Sequence, residues 1–327
     1  MAKKKASRTR SPKIERTAPS AATFSALDMD QAMAGLHKLL AGKEFASIDE
    51  ANAFLQQTLQ AHGGRLPEFK PETPLEMAQD LVAQAYNQTD PILQRRLARQ
   101  ALTLTPDCAD AYVLLAQYES DTLKQLTLFE QAEAAGRRVL GEAFFEREVG
   151  HFWGIVETRP YMRARAGVAR WAWMLGDRNR AIAIYTDLLR LNPNDNQGVR
   201  YLLASALLED RTASSQQALE RLLAVEAFGQ DRSAGWVYSR ALLYFQQGGG
   251  PADQANVALR DALQVNPHVP ALLLDEQAMP EQASPFVGVG DPSEAADYVS
   301  GAYTAWQQTS GALLWLREQR PRRRPRA

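Results

Sequence analysis

The sequence predicts an all-α protein built of stacked helical hairpins, and three observations predict it. Apolar residues make up 45% of the 327. They are mostly Ala and Leu, which favour helix, while β-branched runs are scarce. Segments of helical period end repeatedly in a closing proline, at Pro106, Pro193 and Pro267. Those prolines stand 87 and 74 residues apart. Two hairpins of a common repeat length span roughly 68 residues, so each interval holds two units and an insertion. Four to five units follow, with the outer ones degenerate.

Taken in order, residues 1–25 open the chain with a basic stretch. Residues 1–20 carry seven Lys/Arg and one Glu, a net of +6. Without apolar periodicity this stretch reads as a disordered tail. No apolar core follows Lys3, Lys4 and Lys5, so it does not read as a signal peptide. Residues 26–66 read as capping helices over the first repeat. Ser47-Ile48-Asp49-Glu50 has the form of a capping box, opening a helix through Phe54, Leu55 and Leu59 that stops at Gly63-Gly64. Pro67, Pro71 and Pro74 then make an extended linker.

Repeats closed by a C-terminal cap occupy 74–316. Residues Pro74 to Pro106 read as one helical pair and 109–141 as a second, followed by an insertion at Phe144–Tyr161. The clearest unit is 162–195. Gly176-Asp177 forms its turn, Ala169 and Ala181 are the small residues where the helices cross, Tyr185 and Leu188 fill the gap, and Pro193 closes it. A weaker unit begins near Asn196, with a long turn at Arg211–Ser215. Another good one spans 236–269, with a turn at Gly248 to Pro251, a buried stripe of Ala255, Leu259, Ala262 and Leu263, and closure at Pro267. Residues 317–327 carry six Arg and one Glu, net +5, and read as a second disordered basic tail. Since the whole chain is −1, the body between the tails carries −1 − 6 − 5, or −12.

The small-large pattern of 162–195 and 236–269 resembles the tetratricopeptide repeat over its full length. The C-terminal part also resembles the suppressor of tumorigenicity 7 family. That likeness rests on Asn266-Pro267-His268-Val269-Pro270, Leu272-Leu273-Leu274, Gly290-Asp291, Ser293-Glu294-Ala295, Tyr298, Trp306 and Gly311-Ala312-Leu313. It covers roughly 240–316 and implies a non-enzymatic interaction protein. The chain departs from the family in lacking a membrane-spanning segment, since no apolar stretch reaches the ~18 residues a span needs. A cytoplasmic protein is therefore expected, and no membrane partner.

Catalytic and cofactor chemistry is not expected. One cysteine, Cys108, excludes an internal disulfide framework, and its neighbours Asp107 and Asp110 would raise its thiol pKa. His37, His62, His151 and His268 are scattered, with no metal-binding spacing. No nucleophile elbow or phosphate-binding glycine loop occurs.

Two candidate sites remain. In repeats of this kind the second, fifth, ninth and twelfth residues of each first helix line a common groove. Those positions hold Arg163, Arg170 and Trp173 in the unit from Met162, Arg200 in the next, and Arg240 and Tyr244 in the unit from Trp236. The groove would show arginines and no carboxylates, which suits an acidic or extended peptide. The competing reading pairs these arginines with Glu209, Asp177 or other carboxylates of neighbouring helices. The second candidate is the segment 150–165, where His151, Trp153, Glu157, Arg159 and Tyr161 form either an aromatic-and-arginine recognition element or a packed insertion. The basic tails leave nucleic acid open as another partner.

Overall fold

The computed structural model describes residues 26–320 apart from 68, 283 and 285. The basic residues 1–25 and 321–327 lie outside that set. Among the described residues there is helix and no strand. The chain divides into two compact units, 1–70 and 71–327.

The first unit holds α1 (Ala26–Leu40) and α2 (Ile48–Ala61). The Ser47 side chain accepts from the Glu50 N–H at 3.2 Å, as the capping pattern predicts. The Glu50 carboxylate reaches one residue further back than expected and accepts from the Ala46 N–H at 2.6 Å. No residue of α2 is buried.

The second unit contains five helical hairpins. They pair α3 (Pro74–Tyr86) with α4 (Pro91–Leu104), α5 (Ala109–Gln117) with α6 (Thr122–Leu140), and α8 (Arg159–Met174) with α9 (Arg178–Leu191). The last two pair α10 (Val199–Asp210) with α11 (Ala213–Leu223) and α12 (Ala234–Gln247) with α13 (Asp253–Val265). The repeat count is thus the upper of the two expected. Four of the five second helices begin on a side-chain cap. Asp90, Asp121, Asp177 and Thr212 each accept a backbone N–H that the first turn would leave unpaired, a contact worth about 1 kcal/mol.

The residues predicted to cross or pack do so. Ala169, Ala181, Tyr185 and Leu188 are buried, as are Ala255, Leu259, Ala262 and Leu263. Each hairpin's second helix packs on the first helix of the next: α4 on α5, α6 on α8, α9 on α10 and α11 on α12. The α6–α8 crossing is closest. A Cβ on Gly136 would stand 2.9 Å from the Tyr161 Cβ, and one on Gly167 would stand 2.1 Å from the Phe129 ring. Two glycines that no repeat pattern singles out therefore set the distance between hairpins.

Three boundaries differ from the sequence reading. The turn expected at Arg211–Ser215 is only two residues, because Arg211 takes a left-handed conformation (φ 55°) and Thr212 caps α11 at once. Helix α8 starts at Arg159, three residues before Met162, on Pro160 in its first turn. The last helix, α16 (Ala312–Gln319), carries Arg317 and Glu318 within it, so the ordered chain runs beyond 316.

The insertion holds α7 (Glu142–Arg147) and two single 3-10 turns, 152–154 and 156–158. After the fifth hairpin come α14 (Val269–Leu273) and α15 (Pro292–Gln308). Helix α15 packs on α14 and on α10 and α12, the first helices of two consecutive hairpins. One continuous core runs from Phe152 to Leu316.

Candidate functional site

Whether the first-helix stripe can hold a peptide depends on which arginines are free, and the geometry separates them. The Arg163 Nε and Nη2 donate to the two oxygens of the buried Asp110 at 2.9 and 2.7 Å, joining α8 to α5. Arg200 is held more completely. Its Nη1 donates to Asp195 at 2.8 Å and its Nε to Asp231 at 3.0 Å. Its guanidinium lies 4.2 Å from the Tyr201 ring centroid and 4.9 Å from that of Phe228. The expectation of a groove with arginines and no carboxylates is thus corrected at both positions. Repulsion between unpaired arginines and the burial cost of a lone charge are both avoided by pairing across hairpins.

The same pairing recurs along the stack. Arg165 bonds Glu133 on α6 and Asp187 on α9, Arg178 on α9 bonds Glu209 on α10, and Arg180 on α9 bonds Glu130 on α6. Arg232, ahead of α12, makes a two-pronged contact to Asp261 on α13 at 2.9 and 2.6 Å. Arginine is the residue for this task, because its planar fork matches a carboxylate and keeps its charge when buried.

Arg170 and Arg240 are different. Arg170 is exposed, Arg240 is half-buried, and neither has a carboxylate partner among the described residues. Arg170 lies 5.9 Å from the Trp171 ring centroid. One turn on, Trp173 is half-buried with Arg178 over its ring at 5.1 Å. Tyr244 is half-buried and packs against the core.

The two ends of this stripe are not equally open. Helix α15 takes the α10–α12 end: Gly301 lies against Ser205, and Glu294 accepts from the Ala234 N–H at 3.0 Å. Ala204 and Leu207, the ninth and twelfth residues of the unit from Asn196 and so on the same stripe as Arg200, are buried. At the other end, α3, α5 and α8 meet one another and their neighbours in the stack, and among the described residues of the second unit no further helix packs across them in the way α15 does. There Gln79, Gln117 and Arg170 are exposed, and the Gln117 amide donates to the Tyr86 hydroxyl at 3.2 Å.

The segment 150–165 packs as an insertion. Phe152 and Tyr161 are buried, and their rings cluster with Phe144 and Phe145. Burial pushes the Tyr161 hydroxyl up to about 12. The buried Arg159 lies 5.1 Å from the Trp153 ring centroid and donates to the Trp153 carbonyl at 3.1 Å. His151 and Glu157 are exposed. Of the five, Glu157 lines a small cavity with Asp107, Cys108 and Gly136.

Cys108 is buried, and burial together with Asp110 pushes its thiol up to about 12. Among the described residues no group of three His, Cys, Asp or Glu side chains could hold a metal ion, and no helix is long and apolar enough to cross a membrane.

The competing sequence reading, in which these arginines pair with carboxylates, describes Arg163 and Arg200, but it does not identify the carboxylates that hold them. Asp110 and Arg163 are 53 residues apart, so no local spacing rule connects them. Only Asp195 carried a signal, since it follows Pro193 in the closing motif and folds back on the next helix.

Comparison with known proteins adds family to geometry. The family model described as ST7 protein matches residues 69–319. The suppressor of tumorigenicity 7 protein-like of Mus musculus is 29% identical over 277 residues, covering 76% of this chain and 47% of the relative. Its Homo sapiens counterpart is 28% identical over 273 residues, covering 76% and 46%. The protein ST7 homolog of Caenorhabditis elegans is 28% identical over 265 residues, covering 67% and 46%. This chain spans about half the length of the curated relatives it matches.

Proposed function

The chain belongs to the ST7 protein family, and from that premise we propose that it is a non-catalytic interaction protein of tetratricopeptide type. Its binding surface is the first-helix face of α3, α5 and α8, and its ligand is an extended, acidic peptide segment of a partner. We place this action in the cytoplasm, in keeping with a single, buried, unpaired thiol.

One observation carries the reading: α15 covers α10 and α12, while the α8 end keeps an exposed arginine with no carboxylate partner beside a half-buried tryptophan. An arginine left out of a network that pairs most of its neighbours is available to an anionic side chain. Trp173 supplies apolar contact, and the exposed amides of Gln79 and Gln117 match the donors and acceptors of an extended backbone. The 34-residue pattern at 162–195 and the five stacked hairpins, four with a side-chain cap on the second helix, support the tetratricopeptide assignment.

Arg170→Glu tests this reading. Arg170 is exposed and unpaired, so the variant should keep its melting temperature and lose at least about tenfold in affinity for an acidic peptide, as loss of a central charged contact does. Affinity unchanged in Arg170→Glu removes the proposal. Arg200 is unsuitable for the same test, because its loss would disturb the fold itself.

A further inference from the structure

A cavity of about 260 Å³ opens where three segments of the second unit meet: the α10–α11 turn, the end of α12 and the α15–α16 turn. Its lining includes Arg211, Gln216, Phe245, Gln246, Thr309 and Ser310, and holds one cation and no carboxylate. That volume lies near the lower end of small-molecule sites, roughly 300 Å³. Arg211 closes α10 in the left-handed conformation (φ 55°), which residues other than glycine seldom adopt and which concentrates at functional positions. The carboxylates nearest to it in sequence are engaged elsewhere, Glu209 by Arg178 and Asp210 by the Thr212 and Ser215 hydroxyls. The Arg211 Nη1 donates to the Gln308 carbonyl at 2.5 Å, which ties the side chain to the end of α15 without neutralising its charge.

Two glutamines of the lining are also left with unused groups. In the first two hairpins, the glutamine four residues after the cap of the second helix closes the turn behind it. Gln94, after Asp90, donates to the Gln88 carbonyl at 2.7 Å, and Gln125, after Asp121, donates to the Glu119 carbonyl at 2.7 Å. Gln216 holds the same place after Thr212 and makes no such bond. Gln246 of α12 takes the α10 carbonyl of Leu208 at 3.1 Å, and the Gln216 amide lines the cavity without a side-chain hydrogen bond among the described residues. The Gln246 amide nitrogen also donates to the Thr309 hydroxyl at 3.0 Å, while its Oε1 is buried with no partner. A buried acceptor of this kind calls for a donor.

We propose that this cavity binds a small monocarboxylic acid that carries an apolar body and a hydroxyl or amino donor. The Arg211 guanidinium takes the carboxylate, and the Gln216 amide and Ser310 hydroxyl complete its hydrogen bonds. The Phe245 ring, stacked on Trp315 at 4.6 Å, meets the apolar body, and the Gln246 Oε1 receives the donor. Charge selects this ligand. One cation among neutral donors balances a monoanion, whereas a phosphate ester carries close to two charges and would be half compensated. None of these residues belongs to the Arg170 face, so the site stands or falls separately from peptide binding.

Titration calorimetry on the full chain tests the assignment with four probes. Phenyllactate and benzoate carry the carboxylate, phenylpropanediol replaces it with an alcohol, and phenyl phosphate replaces it with a more highly charged anion. Saturable binding of phenyllactate at millimolar concentration or below is expected, with the diol weaker by at least about tenfold, as loss of a charged hydrogen bond requires. Arg211→Asn keeps a residue that tolerates the left-handed turn, and Gln216→Leu removes the amide. Each should weaken phenyllactate by about tenfold at unchanged melting temperature, while Arg221→Gln and Arg170→Glu should leave it unchanged. Absence of saturable binding by both carboxylates overturns the proposal. So does equal affinity in wild type, Arg211→Asn and Gln216→Leu, which would put the acid outside the cavity. Tighter binding of phenyl phosphate than of either carboxylate would make this a phosphate site and overturn the ligand class. Loss of phenyllactate binding in Arg170→Glu would place the acid on the peptide face and overturn the location.

Discussion

At the scale of single residues, the arginines divide by what surrounds them rather than by repeat position. Arg170, ninth in the unit from Met162, and Arg200, fifth in the next, both fall on the predicted groove stripe, yet Arg200 is caged and Arg170 exposed. Removing Arg200 strands two carboxylates that are nearly inaccessible, with side chains 1% and 9% exposed. Arg200→Met should therefore cost about 3–5 kcal/mol, the range for breaking a buried pair from one side, and urea unfolding measures it. Acid should act on the same cluster. Burial alone would raise the Asp231 carboxyl, but the Ser233 N–H, the Tyr201 hydroxyl and Arg200 outweigh it and hold the group below its ordinary value. A depressed folded value means the stabilisation is full above the ordinary carboxylate pKa of about 4 and is lost as pH falls through the lower folded value. Asp231→Asn should flatten that part of the stability-pH curve. A curve that keeps its full slope there would show that Asp231 is not a source of the acid sensitivity.

At the scale of helices, the periodicity of 162–195 and 236–269 was enough to place both hairpins, because small crossing residues and closing prolines are local signals. The course of α15 was not accessible in the same way. Its sequence is amphipathic like its neighbours, and nothing in Pro292–Gln308 states which helices it meets. Its seat depends on contacts between residues 28 to 63 positions apart: Glu294 with Ala234 and Asn266, and Thr309 with Gln246. Glu294 is buried and accepts from the Ala234 N–H, the Gly290 N–H and the Asn266 amide. Glu294→Ala would leave three donors without that acceptor, each at roughly 1–3 kcal/mol if no water replaces it. A loss of at least about 2 kcal/mol is expected, with Glu294→Gln recovering part of it. If Glu294→Ala unfolds at the wild-type denaturant midpoint, α15 is not anchored through this side chain. The peptide groove read from sequence took its arginines to face no carboxylates, and two of them, Arg163 and Arg200, bond carboxylates of the stack. The rule for groove positions assumes an empty groove, and here a helix of the same chain covers one end.

At the scale of the whole molecule, the two units should differ in how they hold together. The family match begins at residue 69 and the second compact unit at 71, so the part shared with relatives and the hairpin stack are nearly the same segment. Within it, hairpins are joined by apolar burial and by arginine-carboxylate pairs, and α10 has buried residues on all sides: Val199, Leu203, Ala206, Leu207 and Leu208. Helix α2, by contrast, buries none of its residues, although its cap and its periodicity are as clear in the sequence as any. Amphipathic pattern specifies a helix and the face it can bury, while stability comes from what covers that face. Native-state hydrogen exchange on the full chain should therefore show α2 amides opening at free energies near those of local fraying. The α8 and α10 amides should open only near the global unfolding free energy. The order follows from burial alone and does not depend on either binding proposal. Protection of α2 equal to that of α10 would mean that a further contact covers Phe54 and Leu55, and that the first unit is part of the cooperative fold.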